Sequence, residues 1–122
     1  MSNLFEPRYV LAVNNLANSK QFYQNKLGFD LLNEYPGWAF LRRDNVTIML
    51  GECRDEAPAS EIGDHSYFAY IEIHNAEILF NEYNNNDVNF IKPLKDEPWG
   101  MREFGIVTID GHRIMFGQNM DE

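Results

Sequence analysis

Apolar and polar positions alternate in short runs along the chain, and the runs come in the same order twice. Tyr9-Val10-Leu11-Ala12-Val13 predicts a strand, after which Asn18 and Ser19 are candidate caps for a short helix carrying Phe22, Tyr23 and Leu27 on its apolar face. Gly28 is a helix stop. Residues 29–35, 38–43 and 46–51 then predict three strands, separated by Pro36-Gly37 and Asp44-Asn45. A polar stretch from Glu52 to His65, broken by Pro58 and Gly63, reads as a link. Beyond it the order returns: a strand over 66–74, a helix over 76–84, a strand over 89–92, and a hairpin of 102–109 with 112–118 turning at Asp110-Gly111.

The repetition is visible in the residues. Asp44-x-x-x-Ile48-Met49-Leu50-Gly51 recurs 66 positions later as Asp110-x-x-x-Ile114-Met115-Phe116-Gly117. Asn15 and Tyr23 recur as Asn75 and Tyr83 at an offset of 60, so six extra residues are expected around Pro93 to Trp99. Self-similarity of this kind marks a duplicated structure. The expectation is an α+β chain of two βαβββ units, approximately 7–51 and 66–118, in a single domain over 1–122.

Because side chains alternate along a strand, only one face of each strand can pack beneath a helix. Leu11, Val13, Leu41, Ile48, Leu50, Ala69, Ile71, Ile73, Val107, Ile114 and Phe116 are assigned to that covered face. The opposite face then collects Arg8, Val10, Ala12, Trp38, Phe40, Thr47, Met49, Phe68, Tyr70, Glu72, Phe104, Ile106, Arg113 and Met115. A surface so rich in aromatic and thioether groups is expected to be buried by a partner or to line a small-molecule cleft.

Composition narrows the partner. With 10 Lys+Arg against 19 Asp+Glu the formal charge is −9, which disfavours nucleic acid and favours cationic ligands. Cys53 is the single cysteine, so an intrachain disulfide and a cysteine-based zinc site are excluded, and a lone structural or surface thiol is expected. The segment MSNLFEPRY has neither a basic nor an apolar targeting region, and no apolar run approaches bilayer length, so no membrane association and a cytoplasmic location are expected. His65, His74 and His112 are scattered, the last in a turn where solvent exposure is expected. Glu72 and Glu103 could form an acid/base pair, but no nucleophile motif or phosphate-binding glycine loop accompanies them.

Val13-Asn14-Asn15-Leu16 with Ser19, Phe22-Tyr23, Leu27-Gly28-Phe29, Pro98-Trp99-Gly100-Met101-Arg102-Glu103-Phe104 and Asp110-Gly111-His112-Arg113 together resemble the vicinal oxygen chelate superfamily of glyoxalases, dioxygenases and bleomycin-resistance proteins. The Pro-Trp-Gly-x-Arg-Glu-Phe segment is similar to that of the bleomycin-resistance proteins in particular. The resemblance implies two tandem βαβββ modules forming a curved mixed sheet with a concave cleft, and frequent homodimers, some exchanging the first strand. It also implies that metal-dependent members carry His, Glu or Gln at places that fall here on Arg8, Met49, Phe68 and Met115, none suited to a hard cation. His65 and Glu72 are the alternative candidates if the register slips.

The reading that follows is a homodimeric binding protein with no metal, no cofactor and no catalytic residue, sequestering a planar, cationic aromatic compound of the bleomycin type. Its expected ligand-binding residues are Arg8, Trp38, Phe40, Met49, Phe68, Tyr70, Glu72, Trp99, Glu103, Phe104 and Met115. Rings stack on the aromatic members, Met49 and Met115 form an adaptable floor, Glu72 and Glu103 meet positive charge, and Arg8 can pair with one of these carboxylates. The alternative is a metal-dependent lyase, isomerase, dioxygenase or thiol transferase of the same superfamily.

Overall fold

The computed structural model describes residues 6–55 and 67–121, so most of the expected link, with Pro58, Gly63 and His65, lies outside the described residues. The described residues form two compact units. The first contains β1 (Tyr9–Val13), α1 (Leu16–Asn25), β2 (Asp30–Tyr35), β3 (Trp38–Arg43) and β4 (Val46–Glu52). The second contains β5 (Tyr67–Glu72), α2 (Ala76–Asn85), β6 (Asn89–Asp96), β7 (Met101–Val107) and β8 (Arg113–Asn119). Each unit is βαβββ, as the alternation predicts, and each builds its own four-stranded mixed sheet. The strand orders are β1-β4-β3-β2 and β5-β8-β7-β6, with the first strand of each unit parallel to the last and the remaining pairs antiparallel.

The repeated asparagines cap the helices. Asn15 accepts the Asn18 backbone N–H at 3.0 Å and Asn75 accepts that of Ile78 at 3.0 Å, each satisfying a donor that the first helical turn leaves without an intrahelical partner. This corrects the expected cap at Asn18-Ser19: Asn18 is inside the first turn, and Ser19 is buried. A second tie repeats as well. The N–H of Leu16 is accepted by the Glu52 side chain at 2.9 Å and that of Ala76 by the Gln118 side chain at 2.9 Å, joining each helix start to the end of its unit's last strand.

One face of each sheet packs under its helix. In the first unit Leu11, Val13, Tyr23, Leu27, Phe29, Ala39, Leu41, Ile48 and Leu50 are buried. In the second, Phe104 lies flat on Phe116 with centroids 5.1 Å apart and meets Phe80, Tyr83 and Phe90 edge-on. Phe104 and Ile106 are thus core residues beneath α2, both 0 % exposed, whereas the pattern had assigned them to the open face and Val107 to the core. The cause is register. Phe40 pairs with Met49, but Met115 pairs with Gly105, so the repeat that holds for the last strands is one residue out of step on β7. A one-residue slip turns every side chain of a strand over.

The extra residues of the second unit are also distributed more widely than expected. They lie in the longer β6, in the 97–100 connection against 36–37 in the first unit, and in the 108–112 connection against 44–45. β6 runs through Pro93, where the sequence pattern ends it, because β6 is an edge strand and its pairing to β7 is irregular between Lys92 and Lys95. An edge tolerates a residue that cannot donate to the ladder.

Phe104→Ala should lower the unfolding free energy by about 3–5 kcal/mol, the usual cost of emptying a ring-sized core site. Urea denaturation measures it, and a loss of under about 1 kcal/mol would return the ring to the open face.

Candidate functional site

In the first unit the face away from α1 is built by the odd members of β4 and the even members of β3. Val10 and Phe40 flank Met49 on neighbouring strands, and Trp38 pairs with Gly51. A Cβ on Gly51 would stand 3.0 Å from the indole, so the missing side chain is what lets Trp38 lie across β4. Phe40 is edge-on to Trp38 and Tyr35, at centroid distances of 6.5 and 5.6 Å. Beside Trp38 an open groove of about 370 Å³ is bounded by Val10, Ala12, Gly37, Gly51, Glu52 and Cys53. The Cys53 thiol is exposed there, in keeping with the expected surface thiol.

The open face of the second unit has a different chemistry. Glu103 takes on β7 the place that Trp38 has on β3, since each pairs with the terminal glycine of the repeat, Gly117 and Gly51. Its carboxylate accepts Lys92 Nζ at 2.8 Å on Oε1, and both the Tyr70 hydroxyl at 2.5 Å and Trp99 Nε1 at 3.1 Å on Oε2. Lys92 also reaches Glu97 at 3.2 Å and stands 5.6 Å from the centre of the Trp99 ring. A Cβ on Gly117 would overlap the Tyr70 hydroxyl at 1.9 Å, so the glycine opens the path from β5 to Glu103. Next along the face, Gly105 leaves room for the Met115 thioether and Ile91.

The Glu103 side chain is only 6 % exposed. Burial alone would raise its pKa, but the hydrogen bonds from Lys92, Tyr70 and Trp99, with the Lys92 charge, outweigh burial and hold the carboxyl below its ordinary value. For Lys92 burial works against the ammonium, and the hydrogen bonds to Glu103 and Glu97 more than restore it, so its pKa is raised. The pair is ionised at neutral pH and its charges are mutually compensated.

These contacts revise the expected roles. Glu103 is a satisfied internal counter-ion and not an open carboxylate, and its cation is Lys92, which the sequence pattern does not single out, in place of the expected Arg8. Arg8 is exposed and precedes β1. Glu72 is exposed and pairs in register with Gly117, which leaves it as an accessible carboxylate on this face. Phe68 sits at an irregularity between Tyr67 and Ala69, with its ring edge-on to His112 at 5.9 Å. Tyr70 and Met115 are register partners. Trp99 is 61 % exposed and Trp38 is 38 % exposed, whereas Phe104 is withdrawn into the core. His112 is half-buried, not solvent-exposed as expected: its Nδ1 is buried with no hydrogen-bond partner among the described residues. Burial pushes its pKa down against the opposing pull of Asp110.

The places that the resemblance assigns to metal ligands hold a guanidinium, two thioethers and a phenyl ring, at Arg8, Met49, Met115 and Phe68. Such groups do not fit a hard divalent cation. Among the described residues, no three His, Cys, Asp or Glu side chains stand together as a ligand set.

Residues 7–116 match the glyoxalase/bleomycin resistance protein/dioxygenase superfamily, and the chain belongs to it. Across 90 % of its length it is 30 % identical to a bleomycin resistance protein of Geobacillus stearothermophilus, covering 93 % of that relative. A metallothiol transferase FosB of Staphylococcus haemolyticus is 27 % identical over 84 % of the chain and 75 % of the relative. The fold is similar to that of the bleomycin-binding protein of Streptomyces verticillus complexed with copper(II)-bleomycin, with a TM-score of 0.74 at 20 % identity over 95 % of this chain and 97 % of that one.

Because the folded pKa of Glu103 is depressed, its contribution to stability is fully present above the ordinary carboxylate value and is lost as pH falls through the lowered one. Glu103→Gln should therefore be less stable than the unaltered protein at pH 7, and the difference should shrink as the pH falls below that window. Urea midpoints of the two proteins from pH 7 to pH 3 read this directly; a constant difference would assign the depressed pKa to another carboxyl.

Proposed function

We propose that this protein sequesters a planar, cationic aromatic compound of the bleomycin type by binding alone, without a resident metal and without turnover. Two exposed indoles, Trp38 on the open sheet face of one unit and Trp99 in the β6–β7 connection of the other, are the observation that carries the reading. Flat conjugated rings gain dispersion and quadrupole contacts on such surfaces. A formal charge of −9 draws a cationic ligand in and raises the encounter rate, and the accessible carboxylate of Glu72 offers it a local contact. Phe40, Met49, Tyr70 and Met115 complete the surfaces as adaptable apolar and polar-tipped walls. The 30 % identity to a bleomycin resistance protein supports the ligand class. The reading includes a homodimer in the cytoplasm; among the described residues no helix is long and apolar enough to cross a membrane.

A metal-dependent enzyme, including a thiol transferase, is the competing reading, supported by the 27 % identity to a metallothiol transferase. The residues at the ligand places argue against it. Metal content of the purified protein separates the two, since a stoichiometric divalent transition metal would overturn the binding reading.

In a fluorescence titration of EDTA-treated protein with metal-free bleomycin, saturable tryptophan quenching with sub-micromolar affinity is expected. Trp38→Ala and Trp99→Ala should each weaken binding by about 1–3 kcal/mol. No response to millimolar bleomycin would reject this ligand, and unchanged affinity in both variants would move the ligand off the indoles.

A further inference from the structure

Trp99 combines two properties that rarely coexist. It lies in the connection between β6 and β7, flanked by Pro98 and Gly100, and it is 61 % exposed. A large ring in such a place ordinarily samples several orientations. Here it is held at two points. Its Nε1–H is donated to Glu103 at 3.1 Å, and the Lys92 ammonium stands 5.6 Å from its ring centre. The two restraints are themselves joined, because Lys92 donates to the same carboxylate.

Glu103 suits this task because everything around it is fixed. Its backbone is in an interior strand, paired to Gly117 of β8 on one side and to Lys95 of β6 on the other. Its carboxylate is buried, and the Tyr70 hydroxyl shares with Trp99 the oxygen that Lys92 leaves open. Among the described residues, Lys92, Tyr70 and Glu97 are titratable groups joined to the network, with Lys95 3.7 Å from Glu97 at its margin. Rotating the indole away would break one of three hydrogen bonds to a buried charge, which costs more than losing a bond at the surface.

We propose that Glu103 is a positioning residue, whose buried carboxylate, itself fixed by Lys92 and Tyr70, holds the exposed Trp99 indole in one orientation as a ready-made stacking surface for a planar aromatic ligand. The role in recognition rests on the binding function proposed above; the restraint on Trp99 does not. A ring already immobilised loses less conformational freedom when a ligand lands on it, so the benefit appears as affinity. Glu103 needs no contact with the ligand, and its substitution should act through the ring.

The test uses the full chain with Trp38→Phe, leaving Trp99 as the single tryptophan. Its indole N–H is followed by ¹H–¹⁵N NMR and its motion by fluorescence anisotropy decay. The indole signal should show one acid transition, below the ordinary carboxylate range, that disappears in Glu103→Gln and moves to higher pH in Lys92→Met. In Glu103→Ala the N–H should exchange with water faster, and the amplitude of fast ring motion should rise by about twofold or more, as for a released surface side chain. An acid transition that persists in Glu103→Gln, or an anisotropy decay unchanged in Glu103→Ala and, should that variant fail to fold, in Lys92→Met, would overturn the restraint. With Trp38 restored, Glu103→Ala, or Lys92→Met should it fail to fold, should bind metal-free bleomycin about threefold to tenfold more weakly by calorimetry. A mobile indole with undiminished affinity would overturn the role in recognition. No bleomycin binding by the unaltered protein would refute the proposed function while the indole measurements still decided the restraint.

Discussion

The chemistry of the second unit depends on the pairing of β7 with β8. With Glu103 opposite Gly117 and Phe104 opposite Phe116, successive residues of one strand are sent to opposite faces, a carboxylate to the open side and a phenyl ring to the core. A slip of one residue would turn the charge under α2 among Phe80, Tyr83 and Phe90. An isolated carboxylate there would cost far more than a few hydrogen bonds return. The ring cluster and the carboxylate network therefore enforce the same register from the two sides of the sheet, and each makes the other's placement more exclusive.

A carboxylate so little exposed must still be compensated, and the compensation comes from three elements. β6 contributes Lys92, β5 contributes Tyr70, and the connection before β7 contributes Trp99. Lys92 and Tyr70 are distant from Glu103 in sequence and reach it across the sheet, while Trp99 lies four residues before it. The arrangement is economical in space only because Gly117 has no side chain where the Tyr70 hydroxyl crosses. Buried ion pairs are weak evidence for net stability, because desolvation consumes much of the attraction. What the pairing gives here is a set of shared contacts: the carboxylate that accepts from Lys92 and Tyr70 also accepts the N–H of an otherwise exposed indole.

Much of the fold was legible in the sequence because its determinants are local. Strand alternation, the stops at Gly28 and Pro36-Gly37, and the twofold recurrence of Asn-to-Tyr and Asp-to-Gly spacings are enough to give two βαβββ units. The site was less legible because it depends on register, which the repeat does not transmit through connections of unequal length. Alternation counted from Leu41 and Val107 as covered positions is off by one residue at β7, and so assigns Phe104 and Ile106 to the wrong face while leaving Trp38 and Phe40 correct. Lys92 was missed for a related reason. Ending the strand at Pro93 left the lysine at a boundary, although the edge position of β6 lets the pairing continue beyond it. The signal that could have found the network was the glycine shared by both repeats, since Gly51 and Gly117 each mark a place where a large side chain crosses the last strand.

That shared glycine also explains how a duplicated frame comes to carry two different surfaces. The hole above Gly51 is filled by the Trp38 indole from the neighbouring β3, and the hole above Gly117 by the Tyr70 hydroxyl from β5 on its way to Glu103. Filling from β3 leaves an apolar face in which Phe40 leans on Trp38 and Tyr35 and the ring itself is the exposed feature. Filling from β5 draws in a hydroxyl, which needs an acceptor; the acceptor is a carboxylate, which needs a cation, and the cation brings the second aromatic surface under control through Trp99. The difference between the units thus follows from which strand supplies the group over the glycine. Met49 and Met115, one step along the same strands, stay thioethers in both. In the second unit the polar groups end on an exposed ring, and the part of the frame that both units keep in common is apolar and adaptable.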